Sequence, residues 1–501
     1  MDQQTEPMVF ASRDAENTAV PMCVDLDGTL VKSNTLVDSV LTLARLRPLD
    51  LLRVPGWIAQ GRAQFKRYVA ERVMLDVEHL PYNRELVAYL REQHGVGRKI
   101  YLATGADAGL AEGVAKFLGI FDGVMASDGQ LNLVGGNKLA VFRERFGEKF
   151  CYIGNASPDA ELLAACEEPM TANMEPSLRT KIRRAGVTPA RTFHDRSPRL
   201  RTWLKAVRLH QWAKNTLLFL PLLLAHAWQV GPLAGAAVAF LSLGLCASAT
   251  YIVNDLLDIE ADRKHPRKRN RPFAAGDMAA TTGIAVVGVL FVAAVGLAIL
   301  VPHAVVAAGG VALEHPYGFL GWIAIYSVTT LAYSLVLKQK VLVDVMVLSG
   351  LYTLRILAGS AATGVAVSVW LAGFSIFFFL SLAFVKRFSE LQAMREREAT
   401  MMHGRGYGPG DLEQLRAFGT GVGCAAAVVL TLYINDPAAA ALYRHPERLW
   451  LVVPVVLLWL FRIWMLASRG EMNEDPVVYA ITNKSSLLLG AVMAGIVLLA
   501  R

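Results

Sequence analysis

Charge is scarce in this chain. Only 18% of its 501 residues are Asp, Glu, Lys or Arg, against 54% hydrophobic residues, a balance that excludes an ordinary soluble protein. The shortage is local. Up to about residue 210 charged and apolar residues alternate as in globular domains, whereas beyond Lys214 long runs of Leu, Val, Ala, Phe and Gly carry few charges. Cysteine is sparse as well. The five present (Cys23, Cys151, Cys166, Cys246 and Cys424) form no CxxC pair, which excludes a disulfide framework and leaves buried thiols in a reducing compartment. No basic leader followed by an apolar core opens the chain, so no signal peptide is expected. A repeat of solenoid type is also missing.

What is there, instead, is a two-part chain. The second part reads as nine spans, near 215–229, 233–254, 282–302, 318–337, 342–363, 367–386, 417–434, 449–467 and 485–500. Most approach the ~20 residues a bilayer requires, the first and last being short. An apolar piece at 303–313 either lengthens the third span or lies at the outer surface. With the N-terminal part in the cytoplasm, the inside loops hold Arg263 to Arg271, Lys338 and Lys340, Lys386 to Arg416, and Arg469 to Lys484. The opposite loops hold only Arg444 and Arg448. This asymmetry orients the chain. The net charge of +8 is therefore topology plus phosphate binding. Nucleic acid is excluded as a partner, because the basic residues sit in loops between spans rather than in one soluble stripe.

The first part alternates strands with helical segments, which implies a parallel α/β sheet with its site at the carboxyl ends of the strands. A short apolar strand runs into Asp25-Leu26-Asp27-Gly28-Thr29. At a strand's end two carboxylates at i and i+2 can converge, one to attack phosphorus and the other to shuttle a proton. A second strand, Lys99 to Gly105, carries Thr104; Lys138 precedes a helix; a third strand runs into Gly154-Asn155-Ala156-Ser157-Pro158-Asp159. In order and interval these four segments resemble the motifs of haloacid-dehalogenase-like phosphatases. The resemblance implies Asp25 as nucleophile, Asp27 as general acid and base, Thr104 and Lys138 as phosphate holders, and Asp25, Asn155 and Asp159 around Mg²⁺. Residues 33–98 would form a helical cap. Asn155 departs from the family's acid, removing a charge from the metal shell, and a degenerate docking module is the other reading.

The densest chemistry lies at the end of the second span, in Asn254-Asp255-Leu256-Leu257-Asp258-Ile259-Glu260-Ala261-Asp262. On a continuing helix the i, i+3, i+7 spacing places Asp255, Asp258 and Asp262 on one face. Oxygen ligands at this density suit Mg²⁺ bridging to substrate phosphates; the plain alternative is a solvated helix end paired with its own basic loop, Arg263 to Arg271. Lys214, Lys338, Arg355, Lys386, Arg387 and Glu390 stand at other cytoplasmic span ends or within spans. Ionisable residues there are costly unless they line a polar cavity, although snorkelling explains single cations as well. Lys386, Arg387 and Glu390 fall within one helical turn and can reach a common volume. Glu474-Asp475-Pro476 reads as a turn, and Gly404 to Gly410 as a flexible loop.

Together these segments resemble the UbiA superfamily of intramembrane prenyltransferases, and within it the bacterial decaprenyl-phosphate phosphoribosyltransferases. The likeness rests on Gln211-Trp212-Ala213-Lys214-Asn215, the Asn254–Asp262 motif with its basic loop to Gly276, Arg355 to Gly359, and Lys386-Arg387 with Glu390. It implies a bundle of about nine helices over 211–501 in the bacterial inner membrane. Ahead of it come a disordered 1–18, a cytoplasmic phosphatase domain over 19–195 and an interfacial linker at 196–210. It also implies Mg²⁺ on Asn254, Asp255, Asp258 and Asp262 holding the diphosphate of phosphoribosyl pyrophosphate, and a polyprenyl phosphate as acceptor. Lys214, Arg271, Lys338 and Arg355 would contact phosphate, and Asp255 and Asp258 are central to catalysis. A second Asp-rich motif late in the bundle is missing, which weighs against a polyprenyl diphosphate donor. Prenyl transfer to a small acceptor and a transporter with a regulatory domain are the alternatives. Homo-oligomers are left open.

Overall fold

The computed structural model describes residues 20–127, 132–395, 406–472 and 475–501. Residues 1–18, Gly404, Arg405 and Glu474, on which expectations were placed, lie outside the described residues. The chain divides into two compact units, one of residues 1–206 with 255–285 and one of 207–254 with 286–501.

In the first unit six strands form one parallel sheet in the order β3-β2-β1-β4-β5-β6. They are β1 (Met22–Val24), β2 (Ile100–Asp107), β3 (Gly123–Ser127), β4 (Cys151–Gly154), β5 (Glu168–Ala172) and β6 (Arg191–Phe193). Met22 pairs with Ile100 on one side and with Cys151 on the other, so β1 is central. Strands this apolar suit a sheet covered on both faces. Val24, Leu102 and Ile153 pack on one side, whereas Cys23, Ala103 and Tyr152 pack on the other with Phe142. The strand order reverses between β1 and β4, and the crevice at their carboxyl ends is where open α/β sheets bind ligands. Helices α1 (Thr35–Leu46), α2 (Arg62–Ala70) and α3 (Arg84–Gly95) occupy the expected cap region. They are followed by α4 (Ala108–Leu118), α5 (Gly136–Phe146) and α6 (Pro176–Arg184). Asn34 caps α1 and Asn83 caps α3, each accepting the backbone N–H three residues on, which satisfies an otherwise orphaned donor.

Among the described residues seven helices are long and apolar enough to cross a membrane. They are α7 (Val230–Leu257), α9 (Ala280–Ala307), α10 (Gly318–Leu335), α11 (Val343–Thr363), α12 (Val369–Arg395), α13 (Leu412–Ile434) and α14 (Val452–Ser468), with the short α8 (Ile259–Lys264) after α7. An eighth span is met if α15 (Pro476–Thr482) and α16 (Lys484–Ala500), bent by 74°, count as one. Nine is therefore an approximation. The first expected span is a 3₁₀ segment, Leu209–Phe219, leading into a five-residue α-turn, Leu220–Leu224. Neither piece is an α-helix of the roughly 20 residues that a bilayer span requires. The apolar piece after 302 does lengthen the third span, since α9 runs on to Ala307.

The outward faces agree with lipid as the solvent. Only 17% of the most apolar window of α9 is buried, and Val289, Val292 and Leu300 are exposed on it. In water such a helix would be a liability, whereas in a bilayer an all-round apolar surface is expected. Inside, Phe384, Trp459 and Trp464 pack among α12, α13 and α14, with the Trp464 indole N–H donating to Ser381 Oγ at 3.1 Å. Close approaches depend on small residues. A Cβ on Gly359 of α11 would stand 2.2 Å from the Leu218 carbonyl oxygen. Gly359→Ala is expected to force that segment off α11 and destabilise the protein by about 1–3 kcal/mol, read as a lowered Tm in detergent; an unchanged Tm would refute the close packing.

Candidate active sites

The first site stands at the ends of β1 and β4. Asp25 directly follows β1 and is buried at 8% exposure. Lys138, on the first turn of α5, donates to Asp25 Oδ1 at 2.8 Å and to the Tyr152 hydroxyl at 3.0 Å. Burial pushes the Asp25 carboxyl above its usual range, and the Lys138 charge opposes that shift. Asp27 accepts the Thr35 N–H at 2.7 Å, so the start of α1 is tied to it. Its carboxyl is raised too, again by burial. Gly28 adopts φ +78°, and a Cβ there would meet Asn155 Nδ2 at 2.1 Å. Glycine at this position lets the loop after β1 lie against the loop after β4.

The fourth motif differs in role from residue to residue. Asn155 Oδ1 accepts from Thr29 Oγ1 at 3.3 Å. Both oxygens of Asp159 are engaged: Oδ2 accepts the N–H groups of Asn155 and Ala156 at 3.0 and 2.9 Å, and Oδ1 accepts from Tyr152 at 2.8 Å. Asp159 therefore shapes the loop that presents Asn155. Thr104 is fully buried and its hydroxyl accepts from Ala106 N at 3.0 Å. It lies inside β2, where pairing with β3 is irregular between Ala103 and Asp107, rather than at the strand's end.

A residue that sequence reasoning passed over completes this site. Lys66, on α2, donates to the Gly105 carbonyl at 2.5 Å and to Asn132 Oδ1 at 2.8 Å. Burial lowers its pKa, and the charges of Asp27 and Asp25 partly restore it. It sits in a stretch containing Arg62 and Arg67, where no one-dimensional signal separates it from its neighbours.

The Asp-rich motif takes a different shape from the one expected of a continuing helix. α7 stops at Leu257, Asp258 leaves the helical conformation at φ −96°, ψ 8°, and α8 starts at Ile259. The break separates the three carboxylates. Asp255 and Asp262 share Nη1 of Arg271, at 3.0 and 2.6 Å, while Asp258 turns to Nη1 of Arg45 at 2.7 Å. Pairing with the motif's own basic loop is thus present, but it is buried rather than solvated, since Asp255 and Asp262 are each 2% exposed. Burial pushes the Asp262 carboxyl up to about 6, with Asp255 adding to the rise and Arg271 opposing it. Asp255 and Asp262, oxygen-only donors meeting at one point, are of the kind that suits a hard divalent cation. Asn254 precedes this set on α7. Elsewhere among the described residues, Asp76, Glu78 and His79 bring ligand atoms within 4.8 Å of one another. Asp76 there already pairs with Lys264 at 2.8 Å and His79 at 3.1 Å.

In the second unit the cations gather in two clusters. Lys214 and Lys386 both contact Asp475 Oδ2, at 2.9 and 2.8 Å, and the Tyr352 hydroxyl donates to Asp475 Oδ1 at 3.2 Å. Arg387 pairs instead with Asp344 at 2.5 Å, with Glu390, and with the Tyr333 hydroxyl at 2.9 Å. Lys386 and Arg387 thus take different carboxylate partners, as consecutive helical residues turned about 100° apart can. Arg355 is buried in α11, donates to Asn215 Oδ1 at 3.1 Å, and lies over the Tyr326 ring. Lys338 is buried in the short 3₁₀ turn Leu337–Gln339. Asp475 corrects the reading of its segment as a plain turn: it caps α15 through Val477 N at 3.1 Å and also anchors both lysines.

A model described as the UbiA prenyltransferase family matches residues 216–487. The chain belongs to the UbiA prenyltransferase family. An uncharacterised protein, y4nM of Sinorhizobium fredii, is 35% identical over 497 residues, covering 99% of this chain and 93% of that protein. The decaprenyl-phosphate phosphoribosyltransferase of Mycobacterium tuberculosis is 35% identical over 196 residues, 38% of this chain and 59% of that enzyme. A solved UbiA homolog from Archaeoglobus fulgidus bound to GPP and Mg²⁺ aligns with 59% of this chain and 97% of that chain, at 14% identity and a TM-score of 0.44.

In this UbiA-family chain the Asp475 cluster is a test of the bundle's polar interior. Removing one partner of a buried ion pair strands the others at a cost of about 3–5 kcal/mol. Asp475→Ala is expected to lower the Tm of the detergent-solubilised protein accordingly, and Asp475→Glu to recover part of it. Equal Tm values for all three proteins would show that the lysines need no counter-charge.

Proposed function

We propose that this multi-pass membrane protein transfers 5-phosphoribose from phosphoribosyl pyrophosphate to a polyprenyl phosphate. Its α/β domain would then remove the 5-phosphate from the product. The observation that carries the reading is the uneven division of charge. One buried carboxylate set, Asp255 and Asp262 on Arg271, suits a metal-bound diphosphate, while the late-bundle position expected of a second acidic motif carries Lys386 and Arg387 instead. Resemblance to decaprenyl-phosphate phosphoribosyltransferase over 196 residues supports the same donor.

Asp255, Asp258 and Asp262, with Asn254, would hold Mg²⁺, which when bound neutralises diphosphate and eases its departure. Arg271 adds positive charge beside the same oxygens. The bond from ribose C1 to the diphosphate oxygen breaks, the ring takes on oxocarbenium character, and a phosphate oxygen of the lipid attacks C1. Lys214, Lys386, Lys338 and Arg355 are the cations assigned to the acceptor phosphate, with Arg387 and Glu390 holding α12. In the α/β domain, Asp25 attacks the 5-phosphate and Asp27 protonates the leaving ribose oxygen. Asp27 then takes a proton from the water that hydrolyses the aspartyl phosphate. Thr104 and Lys138 hold the phosphate. Asp25 and Asn155 would hold the domain's Mg²⁺, with Asp159 fixing the Asn155 loop. The basic loops support a cytoplasmic side for this domain, at the inner membrane of a bacterium.

Prenyl transfer from an isoprenoid diphosphate is the second reading, favoured by the family's own description. Membranes containing the protein, given labelled phosphoribosyl pyrophosphate and polyprenyl phosphate, are expected to yield labelled lipid. No label here, with turnover of a prenyl diphosphate, would replace the first reading by the second. Asp255→Asn should abolish transfer and spare phosphate release, and Asp25→Asn should do the reverse. The phosphatase has a pH signature. A carboxyl with a raised pKa keeps its proton to higher pH, so kcat/KM should rise as pH climbs through a value above the usual carboxylate range. Lys138→Met removes the charge that lowers that pKa, so the acid limb should move to still higher pH. A limb that stays in place would show that Asp25 is not the titrating group.

A further inference from the structure

The Asp-rich turn and the α/β sheet belong to one compact unit, and helix α1 joins them. Asp38, in the first turn of α1, forms an ion pair with Arg263 of α8 at 2.7 Å, with side chains 1% and 2% exposed. Ser33 Oγ donates to the same Asp38 oxygen at 2.7 Å and lies 3.0 Å from Arg263 Nη2. Arg263 is further held by Glu260 at 3.2 Å and by the Ala274 carbonyl at 3.3 Å. Arg45, in the last turn of α1, reaches Asp258 at 2.7 Å, with side chains only 18% and 15% exposed. Asp38 and Arg45 are seven residues apart, two helical turns, and so lie on one face of α1. Around this face, Lys264 pairs with Asp76 at 2.8 Å and Lys32 with Asp277 at 3.4 Å. Two buried or half-buried pairs at opposite ends of one rigid helix constrain far more than a single surface pair does.

We propose that α1 is a brace through which the phosphatase domain positions a metal-binding carboxylate of the transferase, with Arg45 as the positioning residue for Asp258. The proposal rests on the assignment of Asp258 to the donor's metal site. Asp258 lies at the break between α7 and α8, and Arg45 takes its Oδ1 at 2.7 Å, which sets the orientation of the carboxylate. Outer partners of ligating carboxylates typically change metal affinity by about 10–100-fold. Transfer thus depends on the folded phosphatase domain itself, apart from any hydrolysis it performs.

The test uses the full chain in lipid nanodiscs. Mn²⁺ binding is titrated by electron paramagnetic resonance, and the site in question is the class of bound Mn²⁺ lost in Asp255→Asn. In Arg45→Ala that class should weaken about tenfold, and Arg45→Lys should recover part of the loss. In the transfer assay, the Mg²⁺ and phosphoribosyl pyrophosphate concentrations for half-maximal rate should rise by a similar factor, with kcat changed far less. Release of phosphate from p-nitrophenyl phosphate by the same sample reports whether the domain is folded. If Arg45→Ala unfolds it, Arg45→Lys carries the test through the same titration. Unchanged Mn²⁺ binding in a folded variant would overturn the brace. Absence of phosphoribosyl transfer by the unmutated chain would instead overturn the assigned donor, and the Mn²⁺ titration would still judge Arg45 because it involves no substrate.

Discussion

Taking an ionised group out of water costs several kcal/mol unless an opposite charge and hydrogen bonds meet it, and most of what distinguishes this chain follows from how that demand is met. Arg271 holds Asp255 and Asp262 on one guanidinium nitrogen. Asp475 gathers Lys214 and Lys386, and Asp344 takes Arg387. The last two groupings draw residues far apart in sequence to one point, so the charges act as ties between helices as well as candidate ligands.

The same demand explains the α/β domain. Asp25 is buried against Lys138, and Tyr152 carries the hydrogen-bond chain on to Asp159. A lone buried carboxylate would be held in its neutral form, and the lysine opposes this. The motif's departure at Asn155 lowers the negative charge at this point, and the loop is kept in shape by Asp159 and by the close approach to Gly28. A departure in charge is thus accompanied by an intact scaffold.

Much of this was legible residue by residue. The apolar runs after Lys214 and the Lys/Arg asymmetry of the loops mark a multi-pass bundle, because span length and loop charge are local properties of the chain. The strand ending in Asp25 and Asp27, and the one ending in Asn155, mark a parallel sheet for the same reason. Three features were not legible. Asp475 looks like any residue of an Asp-Pro turn until α12 and the Leu209–Phe219 segment bring two lysines to it. Lys66 stands among other basic residues of α2 and differs only in where the cap places it. The break at Asp258 is invisible to an i, i+3, i+7 count, which assumes that the helix goes on.

Composition, span lengths, loop charge and four short motifs are written in the order of residues along the chain. They determine a doubly wound α/β domain followed by a UbiA-type bundle, since burial of apolar residues and the needs of a bilayer act on every segment separately. Which carboxylate meets which cation was decided only by tertiary structure. An ion pair depends on a few ångströms of separation between groups that the chain connects through tens or hundreds of residues, as Arg45 with Asp258 and Lys214 with Asp475 illustrate. No spacing rule along the sequence contains that distance.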